Sequence, residues 1–526
     1  MMIKEVFANA TPEAHRYIKK VIKPDSRADC HKLKKLFDTK VFEAKNFADT
    51  NLCIQSFDWQ SADQDRNWWW QLQALPFLTW FANSTDLLSA EEQKKYLTLC
   101  LDAIKGWSKN AASNNQSPLA WHDHASAYRV RNITNWFLAC HSLGWLSNED
   151  PQSTAIGHLI TNHLQWLLLD KNYSKHTNHG FDQAMIGLTI GLMFEGEQLQ
   201  LVRDVNRQRL IDEICFAFTE EGVHKENSPG HQKMMLARLK QLRTLAELGD
   251  LEITLISEKY IEKAEAFLRA ITLPSGNLPM LGDTQDDDKG LSYEQKEEID
   301  ILDYSNSGYL IVRGSVLKKD FHLIFKSSHL SNYHRHDDDL SVHLYYDGKV
   351  VLGDGGLGSH NEKDPRRIAL RSKAAHNVPH FLGAEPIRDF AKLTNGLPKI
   401  QIEGLALIGT TSTYGHSLKR VINLSELNIG KFSVTDIVED GSTGRLACNI
   451  YSTLEFTTNN STLEALISDN SNVKIKISSS ASVELYNTFF SKEFGVYSEV
   501  TAFCISTPEN LDTHPTQISL EIQLGH

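Results

Sequence analysis

The chain predicts an α+β protein of more than one domain, with helices in its first part and antiparallel strands in its second. Three observations carry this. A length of 526 residues is too great for one ordinary core, so two to four domains are expected. Apolar residues recur every three or four positions up to about Leu273, whereas from Gly308 onward they alternate. Between the two lies Leu273 to Asp300, rich in Gly, Pro and Asp, whose carboxylates are expected to be mostly solvated. Helices followed by strands argue for separate domains rather than an interleaved α/β fold. The expected boundary is at 300, giving a helical domain over 1–300 and a sheet domain over 301–526.

The helical part is carried by segments such as LLSAEEQKKYLTLCLDAIKGW, TAIGHLITNHLQWLLLD and QKMMLARLKQLRTLAELGDL. No fixed-period repeat joins them, so a bundle, solenoid or toroid all fit. Trp68 and Trp69, within Asn67-Trp68-Trp69-Trp70, are candidates to stack on sugar rings; the alternative is core packing. In WHDHASAYR, Trp121 and His124 are further candidates to face a substrate. Arg129 there has a planar fork suited to a substrate carboxylate, unless it pairs inside the protein while Asp123 caps a helix. In the polar loop SKHTNHG, Asn178 offers an amide donor with His179 beside it, ahead of the helix FDQAMIGLTIGLMF. After Glu226, Ser228-Pro229 reads as a helix start, which puts His231 in the first turn. A helix N-terminus disfavours imidazolium, so a neutral His231 suits acid–base work.

The strand part opens on YLIVRG and FHLIFKS and continues through KIQIEGLALIG, KFSVTDIVE, VKIKIS and SVELYNTF, which suggests antiparallel sheets in a sandwich. Its focus is YHRHDDDLSVHLYYDGKVVLGDGG, Tyr333 to Gly356, a strand, Asp-Gly turn, strand signal. His334 and His336 share a face if the strand begins at Tyr333, and are near neighbours if a loop still covers them. The hairpin can return Asp354 to the level of His336, which leaves room for a metal. His376 is the third candidate ligand and His380 the runner-up.

Composition narrows the function classes. A formal net charge of −12 argues against general nucleic-acid binding, though a basic cleft for an acidic substrate stays open. LQWLLLD and IGLTIGLMF are too short for a membrane span. The first twenty residues lack the apolar core of a signal peptide. Seven scattered cysteines without a CxxC pair argue against a disulfide framework or a cysteine zinc site. A cytoplasmic location is the expectation, with a periplasmic or secreted one open if export uses another signal. Oligomeric state is not legible.

Taken in order, WHDHASAYR, TNHG, EGVHKENSPGH, LPMLGD, SGYLIVRG, HRHDDDLSVHL, VLGDGG and RSKAAHN resemble the heparinase II/III superfamily of polysaccharide lyases. The resemblance runs from about Trp121 to Asn377. It implies an N-terminal (α/α) toroid followed by a C-terminal antiparallel β-sandwich, and eliminative cleavage of a uronic-acid glycan. It gives Asn178 the role of holding the uronate carboxylate, His179 that of a neighbouring histidine, and His334 that of the catalytic histidine. His336, Asp354 and His376 match structural metal ligands, which implies one structural Zn²⁺ per chain, with Asp337, Asp338 and Asp339 as candidate carboxylates to orient the imidazoles. One departure stands out: members typically carry tyrosine where this chain has His231. Either His231 takes over proton transfer, or another tyrosine such as Tyr333 or Tyr128 moves in, or the chain is an inactive carbohydrate binder. A glycoside hydrolase is the other alternative; it would need paired carboxylates, and Asp123, Asp182 and Glu226 are not paired by anything in the sequence.

Overall fold

The computed structural model describes residues 10–61, 63–112, 117–286, 288–328, 330–393, 396–439, 444–459, 461–478, 480–508 and 517–525. Two compact units are present. The first runs up to Ala217 and includes Leu239–Lys259; the second comprises Phe218–Arg238 and everything from Tyr260 onward.

The first unit is helical, as the periodicity predicts. Its long helices include Ala90–Trp107, Asp123–Ser142, Pro151–Leu168, Asn178–Met193 and Gln200–Ala217. Ala90–Trp107 starts at a capping box in which Ser89 and Glu92 satisfy each other's backbone N–H. It buries Tyr96, Cys100, Ala103 and Trp107, one stripe at helical spacing. Asn178–Met193 begins earlier than its apolar run because Thr177 accepts a hydrogen bond from the Gly180 N–H at 3.1 Å. Asp123–Ser142 is capped by the His122 ring, which accepts from the Ala125 N–H, so Asp123 is not the cap.

The second unit holds the helix start Ser228-Pro229 and, among the described residues, antiparallel sheets of eight, five and four strands. The five-stranded sheet is a meander whose strands are Asp300–Tyr304, Tyr309–Val316, Lys319–Lys326, Ser341–Tyr346 and Lys349–Leu352. Leu310, Leu323 and Leu344 from it share one core with Leu407, Val434 and Ile475 of the eight-stranded sheet and with Cys448 and Ile505 of the four-stranded one. Ser341–Tyr346 and Lys349–Leu352 form the predicted hairpin, with Asp347 and Gly348 at φ 45° and 83°, the two left-handed residues of a type I′ turn. His334 and His336 precede the first strand of that hairpin in a loop, so they are near neighbours and not a same-face strand pair.

Candidate functional site

Two clusters of ionisable side chains stand out, one in each unit. In the first unit, Asp123 accepts from Ser174, from His179 Nδ1 at 3.2 Å, and faces His122 Nδ1 at 2.8 Å. Burial works to raise its pKa, but these three partners win and hold it well below the ordinary carboxylate range. His179 stacks on His124 with centroids 4.1 Å apart, and His124 Nε2 lies 2.7 Å from the fully buried Asp182, which also accepts from the Tyr128 hydroxyl at 3.0 Å. Asn178 is the first residue of its helix, and its side-chain amide makes no hydrogen bond among the described residues. It is therefore available to a ligand.

Several sequence candidates prove internal. Trp68 and Trp69 are 1% and 2% exposed, pack on Phe57 and on each other, and cannot reach a sugar. Trp70, which sequence reasoning did not single out, borders the cluster instead, its ring stacked on His124. Trp121 packs on Trp107, His163 and Trp166 and donates to the Ala112 carbonyl. Arg129 is fully buried: it donates to His163 Nε2, to the carbonyls of Gln73 and Ala120, and to Ser126 Oγ. Buried, with four hydrogen bonds inside the protein, Arg129 is not the carboxylate anchor.

In the second unit the organising group is Asp283, which the sequence places in LPMLGD and which was expected to be solvated along with the acidic run that follows. It is buried. Its Oδ2 accepts from His334 Nδ1 at 2.7 Å and from Arg367 Nη2 at 3.0 Å; its Oδ1 accepts from His336 Nε2 at 2.8 Å and from Arg367 Nη1 at 2.7 Å. Burial opposes its charge, yet the hydrogen bonds from His334 and His336 and the Arg367 guanidinium hold its pKa well below the usual range. A single carboxylate thus fixes the tautomer and tilt of both histidines.

His334 sits at φ 53°, a left-handed conformation uncommon for a residue with a side chain. The loop is held there by Asn227, whose amide donates to the carbonyls of Ser331 and Tyr333 at 2.9 and 3.0 Å. Gly282 lets its own loop pass close to Asn227, because a Cβ there would lie 2.7 Å from the Asn227 carbonyl oxygen. Tyr333 itself is 52% exposed. The helix Pro229–Gln241 starts as predicted, and His231 stacks on His334 with ring centroids 4.2 Å apart. Neither ring nitrogen of His231 makes a hydrogen bond among the described residues. Buried Glu226 completes the group, its Oε2 3.5 Å from His334 Nε2 and 4.0 Å from His231 Nε2. Burial, then the neighbouring His334, push the pKa of His231 well below 6.5. For His334 burial pulls the same way, but the hydrogen bond and charge of Asp283 and the charge of Glu226 overcome it and raise the pKa. The pKa values of two stacked imidazoles are thereby pushed apart, down for His231 and up for His334.

His336, Asp354 and His376 come together as a candidate metal group, with ligand atoms all within 4.8 Å of one another and all three residues buried. His336 uses Nε2 on Asp283, and its buried Nδ1 has no hydrogen-bond partner. An orphaned nitrogen of this kind fits a metal, since a buried polar atom otherwise costs about 1–3 kcal/mol. His376 Nδ1 lies 2.9 Å from Asp354 Oδ2, and its Nε2 is also buried and unpartnered. The runner-up His380 is not in this group. The three consecutive aspartates do not orient the imidazoles. Asp337 pairs with Arg388, Asp338 with Lys326 and Asp339 with Arg335, so that role belongs to Asp283.

Comparison with known proteins agrees with this architecture. The model described as "Heparinase II/III N-terminus" matches residues 13–304, and "Heparinase II/III-like, C-terminal" matches 299–521. No curated protein matches the sequence at a significant level. Among solved structures, one described as Heparinase III is 14% identical with a TM-score of 0.73, covering 100% of this chain and 94% of its own. A heparan sulfate lyase from Pedobacter heparinus is 15% identical with a TM-score of 0.67, covering 97% of this chain and 87% of its own. At such identity these likenesses show a shared fold, a helical domain followed by antiparallel sheets. With two family models that together span nearly its whole length, the chain belongs to the heparinase II/III family.

Proposed function

We propose that the chain is a polysaccharide lyase that cleaves a uronic-acid-containing glycan by β-elimination. The observation that carries this reading is the stacked His231–His334 pair, with the second ring fixed by Asp283 and the pKa of the first pushed down while that of the second is pushed up. Elimination needs a base for the C5 proton, an acid for the departing glycosidic oxygen, and donors that hold the uronate carboxylate while charge builds up. His231, with no hydrogen bond at either nitrogen, takes the C5 proton. The C–H electron pair becomes the C4–C5 double bond, the C4–O bond breaks, and His334 gives its Nε2 proton to the leaving oxygen. No water is consumed. Family membership suggests that Asn178, with His179 beside it, holds a uronate carboxylate through its unbonded amide.

The group at His336, Asp354 and His376 suits zinc, which takes imidazole and carboxylate ligands and keeps a fourth position for water. It would anchor the chain just after His334, a positioning role. A hydrolase is less well supported: the pKa of Asp123 is held well below the ordinary carboxylate range, which disfavours the protonated carboxyl that glycoside hydrolysis needs. The reading is tested by digesting a panel of uronate glycans in ¹⁸O-labelled water. Unlabelled, unsaturated oligosaccharides are expected; label at the new reducing end would show hydrolysis instead.

A further inference from the structure

We propose that Glu226, His231 and His334 form a second divalent-cation site, separate from His336, Asp354 and His376, with a metal such as Zn²⁺ as ligand and competition with catalysis as the consequence. Their ligand atoms all lie within 4.8 Å of one another. The two nitrogen-to-oxygen separations, 3.5 Å from His334 and 4.0 Å from His231, are too long for hydrogen bonds. They approach the spacing between two ligands of a tetrahedral zinc, about 3.3 Å for bonds of about 2.0–2.1 Å. The two carboxylate-to-imidazole sides of the trio are thus near that spacing, and the rings, now stacked with centroids 4.2 Å apart, would turn so that both in-plane lone pairs meet the ion.

Three further features support this. Asp283 binds Nδ1 of His334, the carboxylate–histidine arrangement that orients an imidazole toward a metal and leaves Nε2 as the ligand. His231 has both ring nitrogens uncommitted. Glu226 lies beside both rings, and Asp283 behind His334 is paired with the Arg367 guanidinium. The chemistry arises from the residue at position 231: a tyrosine there would be a poor ligand for zinc at neutral pH, whereas an imidazole is a good one. The site also differs from the buried group in accessibility. His334 is 28% and His231 14% exposed, so an ion can enter and leave without unfolding, whereas the His336 and Asp283 side chains are fully buried.

The metal site stands on geometry alone; its competition with catalysis rests on the elimination proposed above. An ion on these nitrogens occupies the lone pair that would take the C5 proton and blocks the Nε2 proton that would be delivered. Equilibrium dialysis of the full chain against graded Zn²⁺, followed by elemental analysis, is expected to give about two equivalents per chain, one surviving exhaustive dialysis and one exchanging. Glu226→Gln and His231→Tyr should each lose the exchanging equivalent and keep the retained one. Co²⁺ in its place should give a visible ligand-field band that both variants lack. Zinc should slow turnover of the wild type reversibly. A single equivalent in the wild type, or an exchanging equivalent kept by both variants, would overturn the second site and leave the elimination untouched. An exchanging equivalent lost in both variants but without effect on turnover would keep the metal site and remove the pair from the reaction.

Discussion

Asp283 shows how much one side chain can organise. It takes four hydrogen bonds from three residues distant from it in sequence and so couples the proposed proton-transfer histidine, a candidate metal ligand and a buried arginine. Asp283→Ala would leave the buried Arg367 with only the longer carboxylate contacts to Glu362, at 3.3 and 3.4 Å, a loss of about 3–5 kcal/mol of stability in denaturant unfolding. It should also lower the zinc retained on dialysis. Asn178→Ala makes the opposite prediction: stability within about 0.5 kcal/mol of wild type, because the amide has no partner to lose, but kcat/KM down by roughly 10²–10³ if it stabilises the transition-state carboxylate. Trp68→Ala, at a site where the sequence leaves sugar stacking and core packing both open, should cost about 3–5 kcal/mol through a core cavity. Composition could not separate these cases. Tryptophan occurs in clefts and in cores, arginine in a core only when it is paired, and burial and partners distinguish the cases.

The elements that carry the site were legible where local chemistry decides them. Ser228-Pro229 fixes a helix start, and with it the place of His231 in the first turn. Asp347-Gly348 fixes the hairpin that leads to Asp354. Loops were less legible, because their shape depends on distant partners. Thr177 starts its helix early, and the conformation of His334 rests on Asn227 and Gly282. Asn227→Ala should therefore cut activity more than stability. Loss of its two hydrogen bonds is expected to cost about 1–3 kcal/mol, and kcat should fall by more than that stability loss accounts for. At the same level, His231 makes a pH prediction. Its pKa lies well below 6.5, so the base form persists as pH falls past 6.5, and the acid limb of kcat/KM should lie below that value. A limb centred at or above 6.5 would mean another group is the base.

At the scale of the whole molecule, the division into helices and then antiparallel sheets was readable from periodicity alone, since periods of about 3.6 and 2 differ strongly over long windows. The pairing of distant carboxylates was not, which is why Asp283 and Arg367 were missed although LPMLGD lay in plain view. Burial of histidines gives a global consequence. His163, His224 and His322 are held down to about 3, and His343 and His380 to about 4, in each case chiefly by burial. These groups stay neutral in the fold and take up protons on unfolding below their ordinary 6.5. Their contribution is present above pH 6.5 and is lost as pH falls from 6.5 toward 3–4. Urea midpoints should accordingly drop steeply across that window. Proton uptake on unfolding should approach several protons per chain near pH 5.

The central claim, proton abstraction and elimination at the His231–His334 pair, is tested most directly by following ultraviolet absorbance while wild-type protein and His334→Ala act on a panel of uronate glycans. The account predicts rising absorbance from a conjugated C=C–COO⁻ product with at least one glycan, lost by about 10²-fold or more in the variant. Cleavage without that chromophore, or tight oligosaccharide binding without turnover and unchanged by His334→Ala, would contradict it.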